Sequence, residues 1–270
     1  MEIESEKATV EISAPADGVL VRLDALAVLA RRLEPGPLRQ PAGARAKGGA
    51  DIELALLVLA VVALGAGGNP RKVQWSDREN NTVWAAAATN QAGDIELQTS
   101  GQIMQAIRTR GQALILTDQD AHTMTYQGPP FVYGFERVGA SCGAISRRAA
   151  VSVDAGVFWV GTSGFFAFSG GAVQQIDSEV SDFVFSNMNT SQVSKVWGVS
   201  NAASGEIWWF YPSLNAEECD RYIILSLDDL RWTPGVLGRT AVGSRTLTGI
   251  MSLFATDAAG VIYEHESGRD

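Results

Sequence analysis

Along residues 1–23 apolar and polar side chains alternate around a turn at APADG, which is the period of β-strands. The period then lengthens. LDALAVLARRL, Leu23 to Leu33, has helical spacing and good helix formers. Pattern is lost in EPGPLRQPAGARAKGG, Glu34 to Gly49, a basic Pro/Gly/Ala-rich stretch that reads as a flexible linker. LALLVLAVVAL, Leu54 to Leu64, is apolar throughout and reads as a short buried or oligomer-forming helix stopped by GAGGNP. A membrane-spanning helix needs about 20 apolar residues, so this run predicts no transmembrane span.

After Arg71 short β-rich runs alternate with Gly, Asp, Asn and Ser. Four begin at Ala113, Gly156, Gly205 and Leu253, spaced by 43, 49 and 48 residues. LILTD (Leu114 to Asp118) and LFATD (Leu253 to Asp257) each precede a turn and a second strand reaching tyrosine, Tyr126 and Tyr263. The Gly156 run has the same layout around TSG. The hairpin-like Asp220 to Gly235 is read as part of the last unit. A period of about 40–50 residues with several strands in each is that of propeller blades, whereas a β-sandwich spaces its strands without the longer repeat. The expected fold is an all-β body, a partial or small β-propeller of four-stranded antiparallel blades, with a short strand/helix N-terminal head. The expected division is 1–33 head, 34–68 linker and apolar helix, and 69–270 propeller-like domain.

Charge narrows the partners. The chain of 270 residues carries a net charge of −9, which speaks against sequence-independent binding to nucleic acid or anionic membranes. All seven tryptophans fall between Trp75 and Trp232. Cys142, Cys219, His122 and His265 show no metal-ligand spacing, and a disulfide would require the fold to bring the cysteines together.

Candidate chemistry is sparse. The carboxylate pairs Asp118/Asp120, Asp228/Asp229 and Glu217/Glu218 fall at predicted turns, where Asp serves the backbone. His122 and His265 have no partner evident in the sequence. No nucleophile elbow, P-loop or dinucleotide fingerprint occurs. SVDAGVFW, Ser152 to Trp159, approaches the S-x-D-x-G-x-T-W turn of sialidase propellers but occurs once and has Phe158 in place of Thr; it reads as a hairpin turn beside a packed tryptophan. In IWWFYP, Ile207 to Pro212, strand alternation points Trp208 and Phe210 one way and Trp209 and Tyr211 the other. These four aromatics are the candidates for a contact surface, with packing between blades as the alternative. The expectation is of no catalytic residue, no metal ligand and no enzyme.

Two resemblances extend this reading. Glu4-Ser5-Glu6-Lys7-Ala8, followed by Val10 to Gly18, resembles the attachment turn of the lipoyl domain of 2-oxo acid dehydrogenase acyltransferases. That resemblance implies Lys7 as the residue that would carry lipoate. The family places an equal half-domain before the lysine, so the expectation is a non-functional fragment with no lipoate on Lys7 and no other cofactor. The series VQWSDRENNTVWAAAATNQAGDIELQTSGQI, YQGPPFVYGFERVG, FWVGTSGFFAFSGG, IWWFYPS and DRYIILSLDDLRWT is similar to the C-terminal part of the β-propeller tail proteins of short-tailed and related bacteriophages. It implies a structural tail or head-to-tail connector component, located in the virion tail and assembled in the bacterial host cytoplasm. Its partners would be other tail or connector subunits, with oligomerisation left open. The alternatives are a propeller glycan-binding protein or glycosidase, and a lipoyl carrier fragment.

Overall fold

The computed structural model describes residues 19–21, 62–247 and 250–265. Lys7, the helix expected at 23–33 and the linker at 34–49 lie outside the described residues. Strands form five sheets, and within each the strands are hydrogen-bonded in chain order. The first holds β1 (Val19–Val21), β2 (Val62–Leu64), β3 (Lys72–Trp75) and β4 (Gly93–Glu96). The second holds β5 (Ile103–Arg108), β6 (Gln112–Thr117), β7 (Asp120–Gly128) and β8 (Val132–Ala140). Strands β9 (Ala150–Val153), β10 (Gly156–Val160), β11 (Phe165–Ser169) and β12 (Ala172–Ile176) make the third. The fourth is β13 (Trp197–Asn201), β14 (Glu206–Tyr211), β15 (Arg221–Ser226) and β16 (Trp232–Val236). The fifth has three described strands, β17 (Ala241–Leu247), β18 (Ile250–Thr256) and β19 (Ile262–His265). One short helix, α1 (Ser181–Asn187), lies between the third and fourth sheets in sequence.

The chain divides into two compact units. One comprises residues 1–98 with the β7–β8 hairpin tip at 126–133, and the other 99–125 with 134–270. In the first unit β1 pairs antiparallel with β2, and β2 with β3. The apolar run expected to be helical at Leu54 to Leu64 therefore ends as a strand at Val62–Leu64. Val62 faces Trp75 and Leu64 faces Val73 across the ladder, and all four are buried. Cross-strand packing outweighs the helical propensity of the leucines here. The first sheet thus begins before position 69, the boundary expected from composition. The tip of the long hairpin supplies Tyr133, whose ring meets Trp75 edge-on at 5.2 Å and Tyr126 at 5.6 Å.

The second unit has the blade arrangement of a β-propeller. Its first strands lie side by side from sheet to sheet: β5 meets β9, β9 meets β13, and β13 meets β17. Hydrogen bonds stitch the seam. The Gln105 side-chain amide donates to Ala150 O, and its oxygen accepts from Ala150 N, both at 3.2 Å. One sheet further on, Gly198 N donates to Arg148 O at 2.8 Å. The runs at Ala113, Gly156 and Leu253 become the second and third strands of their sheets, and the Gly205 run becomes the second strand, β14, of the fourth. The hairpin at Asp220 to Gly235 belongs not to the last unit but to the sheet of the Gly205 run, because β15 pairs with β14 along six residues.

Burial explains the composition of these strands. A sheet packed on both faces needs apolar side chains at consecutive positions, not alternate ones. Leu114 to Leu116 in β6, Val157 to Val160 in β10 and Ile207 to Tyr211 in β14 are such runs, and all are buried. One core gathers Phe165, Trp209, Tyr211, Val184 and Ile223; a second gathers Trp159, Phe166, Leu114 and Cys142; a third gathers Trp197, Trp208 and Phe210. Close approach is provided by glycine. A Cβ at Gly198 would lie 2.7 Å from the Trp209 ring on the paired strand, and one at Gly143 would overlap the Asp118 backbone.

Candidate functional site

Asp120 falls at a predicted turn and His122 has no partner evident in the sequence; the structure buries both and brings them together. Thr117 ends β6, Gln119 N and Asp120 N both donate to its Oγ1 (3.0 and 2.8 Å), and this tight turn draws Asp120 inside. The Thr117 hydroxyl donates in turn to Asp120 Oδ1 at 2.5 Å. His122 Nε2 stands 3.1 Å from the same oxygen, so an ionised Asp120, an acceptor only, requires the ring proton on Nε2. Thr117, Asp120 and His122 are all buried. Arg137 approaches the other carboxylate oxygen at 4.0 Å from the solvent side. This cluster gathers the Thr117 hydroxyl and the His122 ring on Asp120 Oδ1. It locks the β6–β7 turn, since a buried polar group left unpaired costs about 1–3 kcal/mol. Asp118, beside it, accepts from Gln102 N at 2.9 Å.

Both cysteines are free and buried. Burial, reinforced by the Asp120 charge, pushes the Cys142 thiol up to about 11. The Cys219 thiol, which donates to Lys195 O at 3.2 Å, is pushed up to about 12 by burial and then by Glu218 and Asp220. Neither forms the thiolate that nucleophilic or metal chemistry requires near neutrality. Among the described residues no group of three or more His, Cys, Asp or Glu side chains is placed to hold a metal ion, and no helix is long and apolar enough to cross a membrane.

Trp208, Trp209, Phe210 and Tyr211, the candidates for a contact surface, are buried inside the second unit. They alternate as the sequence predicts: Trp209 and Tyr211 enter one core, Trp208 and Phe210 another. Trp209 Nε1 donates to Ala149 O at 2.8 Å, and Trp197 stacks on Phe210 at 4.3 Å. Packing between sheets uses these rings because β14 is an inner strand covered on both faces. Trp159 is likewise buried, with its Nε1 donating to Cys142 O at 2.7 Å, while Asp154 sits exposed in the β9–β10 turn. That motif is a hairpin turn beside a packed tryptophan. His265 also has a partner: Arg239 Nε donates to its Nε2 at 3.1 Å, and the guanidinium lies 4.1 Å over the Tyr263 ring. Glu218 pairs with Lys195 at 2.6 Å.

An open cleft that sequence reasoning did not single out lies where the segment after β12 meets the β15–β16 turn. Its volume is about 650 Å³, within the range of ligand sites, and Asp177, Glu179, Asp229, Leu230, Arg231 and Trp232 line it. The cavity beside Trp75 and Tyr133 in the first unit, of about 10 Å³, would hold no more than one water. Trp232 Nε1 donates to Asp177 O at 3.1 Å, tying the two walls together. Its ring packs against Phe165 at 4.3 Å and Trp209 at 6.1 Å. Leu230 is exposed at the lip, held at φ 53°. Asp229 pairs with Arg231 at 2.9 Å, and a hydrogen bond from Ser226, ahead of the Arg231 contacts, holds its carboxyl below the usual range. The walls lie some fifty residues apart in sequence, so only the fold brings them together; RWT by itself reads as one more strand.

No protein-family profile matches the chain, and no curated protein matches it. Solved structures to which it is similar include the N-terminal domain of Nup159, at 10% identity and a TM-score of 0.46 over 77% of this chain and 58% of that one. Another is dihydro-heme d1 dehydrogenase NirN in complex with DHE, at 10% identity and a TM-score of 0.47 over 77% and 43%. A third is the WD40 domain of SCAP from fission yeast, at 8% identity and a TM-score of 0.41 over 75% and 48%. The chain spans less than two thirds of each of these. With every one of these scores below 0.5, the propeller assignment rests on the sheets themselves and on the contacts between their first strands.

Proposed function

We propose that this protein is a structural component of a bacteriophage tail or head-to-tail connector, working through protein–protein contacts. The ordered series of strand and loop segments from VQWSDRENNT to DRYIILSLDDLRWT motivates the reading. One structural observation supports it. Among the described residues the last strand of the second unit, β19, is apolar, with Val261, Ile262 and Tyr263 exposed on and beside it. An exposed apolar strand edge is a surface for pairing with another chain. Deleting the gene from a phage that carries it should leave filled heads with missing or unstable tails by electron microscopy. Intact, fully infectious particles would overturn the proposal.

A second reading, a propeller that binds or cleaves glycans, draws on the Trp232 cleft, where an indole stands among carboxylates. Glycosidase chemistry needs two carboxyls across a bond, one kept protonated by its surroundings. Asp229, held by its hydrogen bonds in the ionised form, is poorly suited to the acid role. Turnover of sialosides or common glycosides by the purified protein, abolished by Asp229→Asn, would establish the second reading.

A further inference from the structure

We infer that the cleft between the segment after β12 and the β15–β16 turn is a docking site for a basic, extended peptide segment of a partner protein. The inference deepens the proposal of a protein-contact role and rests on it for the nature of the partner. Charge argues for the occupant. Three carboxylates, Asp177, Glu179 and Asp229, face one guanidinium, Arg231. Arg231 is already paired with Asp229. Among the described residues the Asp177 and Glu179 side chains have no ion-pair partner, and both residues are exposed. They form an unneutralised negative wall on a chain whose net charge is −9. An anionic ligand would be repelled, and a cationic one attracted from a distance.

The apolar elements specify more than a free cation. Leu230 projects at the lip with 58% of its surface exposed. Trp232 lies between the lip and the core, backed by Phe165 and Trp209, so its position is fixed before anything binds. A lysine or arginine beside an aliphatic residue meets both demands. Its charge sits near Asp177 and Glu179, within reach of the indole for a cation–π contact, and the aliphatic neighbour covers Leu230. Both sides of the cleft are anchored to regular elements, β12 on one side and β16 on the other, and the Trp232–Asp177 hydrogen bond joins them. A sugar ring fits less well: part of the indole is taken up by Phe165 and Trp209, and the one guanidinium is engaged by Asp229.

The test is fluorescence anisotropy with a short labelled peptide carrying lysines on both sides of a leucine, added to the full chain at low salt. Its counterparts are the same peptide with glutamates for lysines, and a labelled neutral oligosaccharide. The lysine peptide should bind and the glutamate peptide should not. Asp177→Asn with Glu179→Gln should weaken binding by about tenfold, as should raising the salt. Both substitutions are isosteric and exposed, so the fold is retained, and circular dichroism verifies this. Trp232→Phe, which keeps the packing on Phe165, should weaken binding less. Failure of the lysine peptide to bind, equal binding by the doubly substituted protein, or equal binding of the glutamate peptide would each overturn the inference. Binding of the oligosaccharide in place of the peptide would do so too, in favour of the glycan reading. Peptide binding by a protein whose gene is dispensable for tail assembly would sink the phage role while leaving this site standing.

Discussion

Strands β14 and β19 are both laid antiparallel against their neighbours, yet they meet opposite surroundings. In β14, Ile207 to Tyr211 are buried on both faces, with the adjacent tryptophans and aromatics entering two separate cores. In β19, Ile262 leaves 69% of its surface exposed and Tyr263 38%. The difference comes from sheet position. β14 lies between β13 and β15 and under neighbouring sheets, whereas β19 is the last described strand of a three-stranded sheet. Apolar sequence therefore means interior in one strand and exposed surface in the other. Hydrophobicity alone does not separate the two roles; the number of strands beyond each one does.

The comparison breaks most visibly at Trp209. Trp209→Ala removes a fully buried ring and its hydrogen bond to Ala149, and should cost about 3–5 kcal/mol in urea unfolding. Loss of less than about 1 kcal/mol would mean that β14 is not the interior strand described. Gly143→Ala, which drives a methyl into the Asp118 backbone, should cost about 1–3 kcal/mol by the same assay. A stability unchanged by that methyl would show that the β6–β7 turn is free to shift.

Two Asp-bearing turns, after β6 and after β18, sharpen the contrast. Asp120→Ala, which leaves Thr117 and His122 buried without their common acceptor, should cost about 1–3 kcal/mol. Asp257→Ala, in the half-buried turn after β18 where Tyr263 Oη donates at 3.0 Å, should cost less than about 1 kcal/mol. Equal losses would erase the distinction between locked and open turns.

Alkaline pH separates the regions through protons. The Cys219 thiol titrates near 9 when unfolded and is pushed up to about 12 by burial. Between those values the folded chain holds a proton that the unfolded chain has released. Stability is therefore fully present below about pH 9 and falls toward pH 12, by about 1.4 kcal/mol per pH unit from this group. Cys219→Ala should flatten that slope in thermal melts, and an unaltered slope would mean that the thiol is not buried as described. At the small end, Ile262→Ser on β19 should change stability by no more than about 0.5 kcal/mol. A larger loss would show that this edge is covered within the chain.

Much of the fold was legible in the sequence. The spacing of the runs at Ala113, Gly156, Gly205 and Leu253 marks the second strand of four successive sheets, because each blade repeats the same arrangement and the repeat survives in apolar runs and turn residues. Alternation in IWWFYP assigned the faces of β14. It could not say that both faces are covered, since cover comes from β9–β12 and β17–β19, elsewhere in the chain. The burial of Asp120 was hidden for a related reason. Asp in a turn is usually solvated, and only the Thr117 hydroxyl, which caps two backbone N–H groups, turns the carboxylate inward. The cleft was the least legible feature: Asp177 and Trp232 are 55 residues apart, joined by one hydrogen bond that no local pattern announces. Val62–Leu64 became strand because β3 was there to pair with it, a partner that a window centred on the leucines does not see.

The proposed role in a virus particle is tested most directly by quantitative mass spectrometry of tailed-phage particles purified from cells that carry the gene. The account predicts this chain in the particles at a fixed ratio to the capsid protein, retained through a high-salt wash because apolar contacts of the kind proposed for β19 do not weaken with ionic strength. Its presence in the lysate and absence from purified particles would contradict the account.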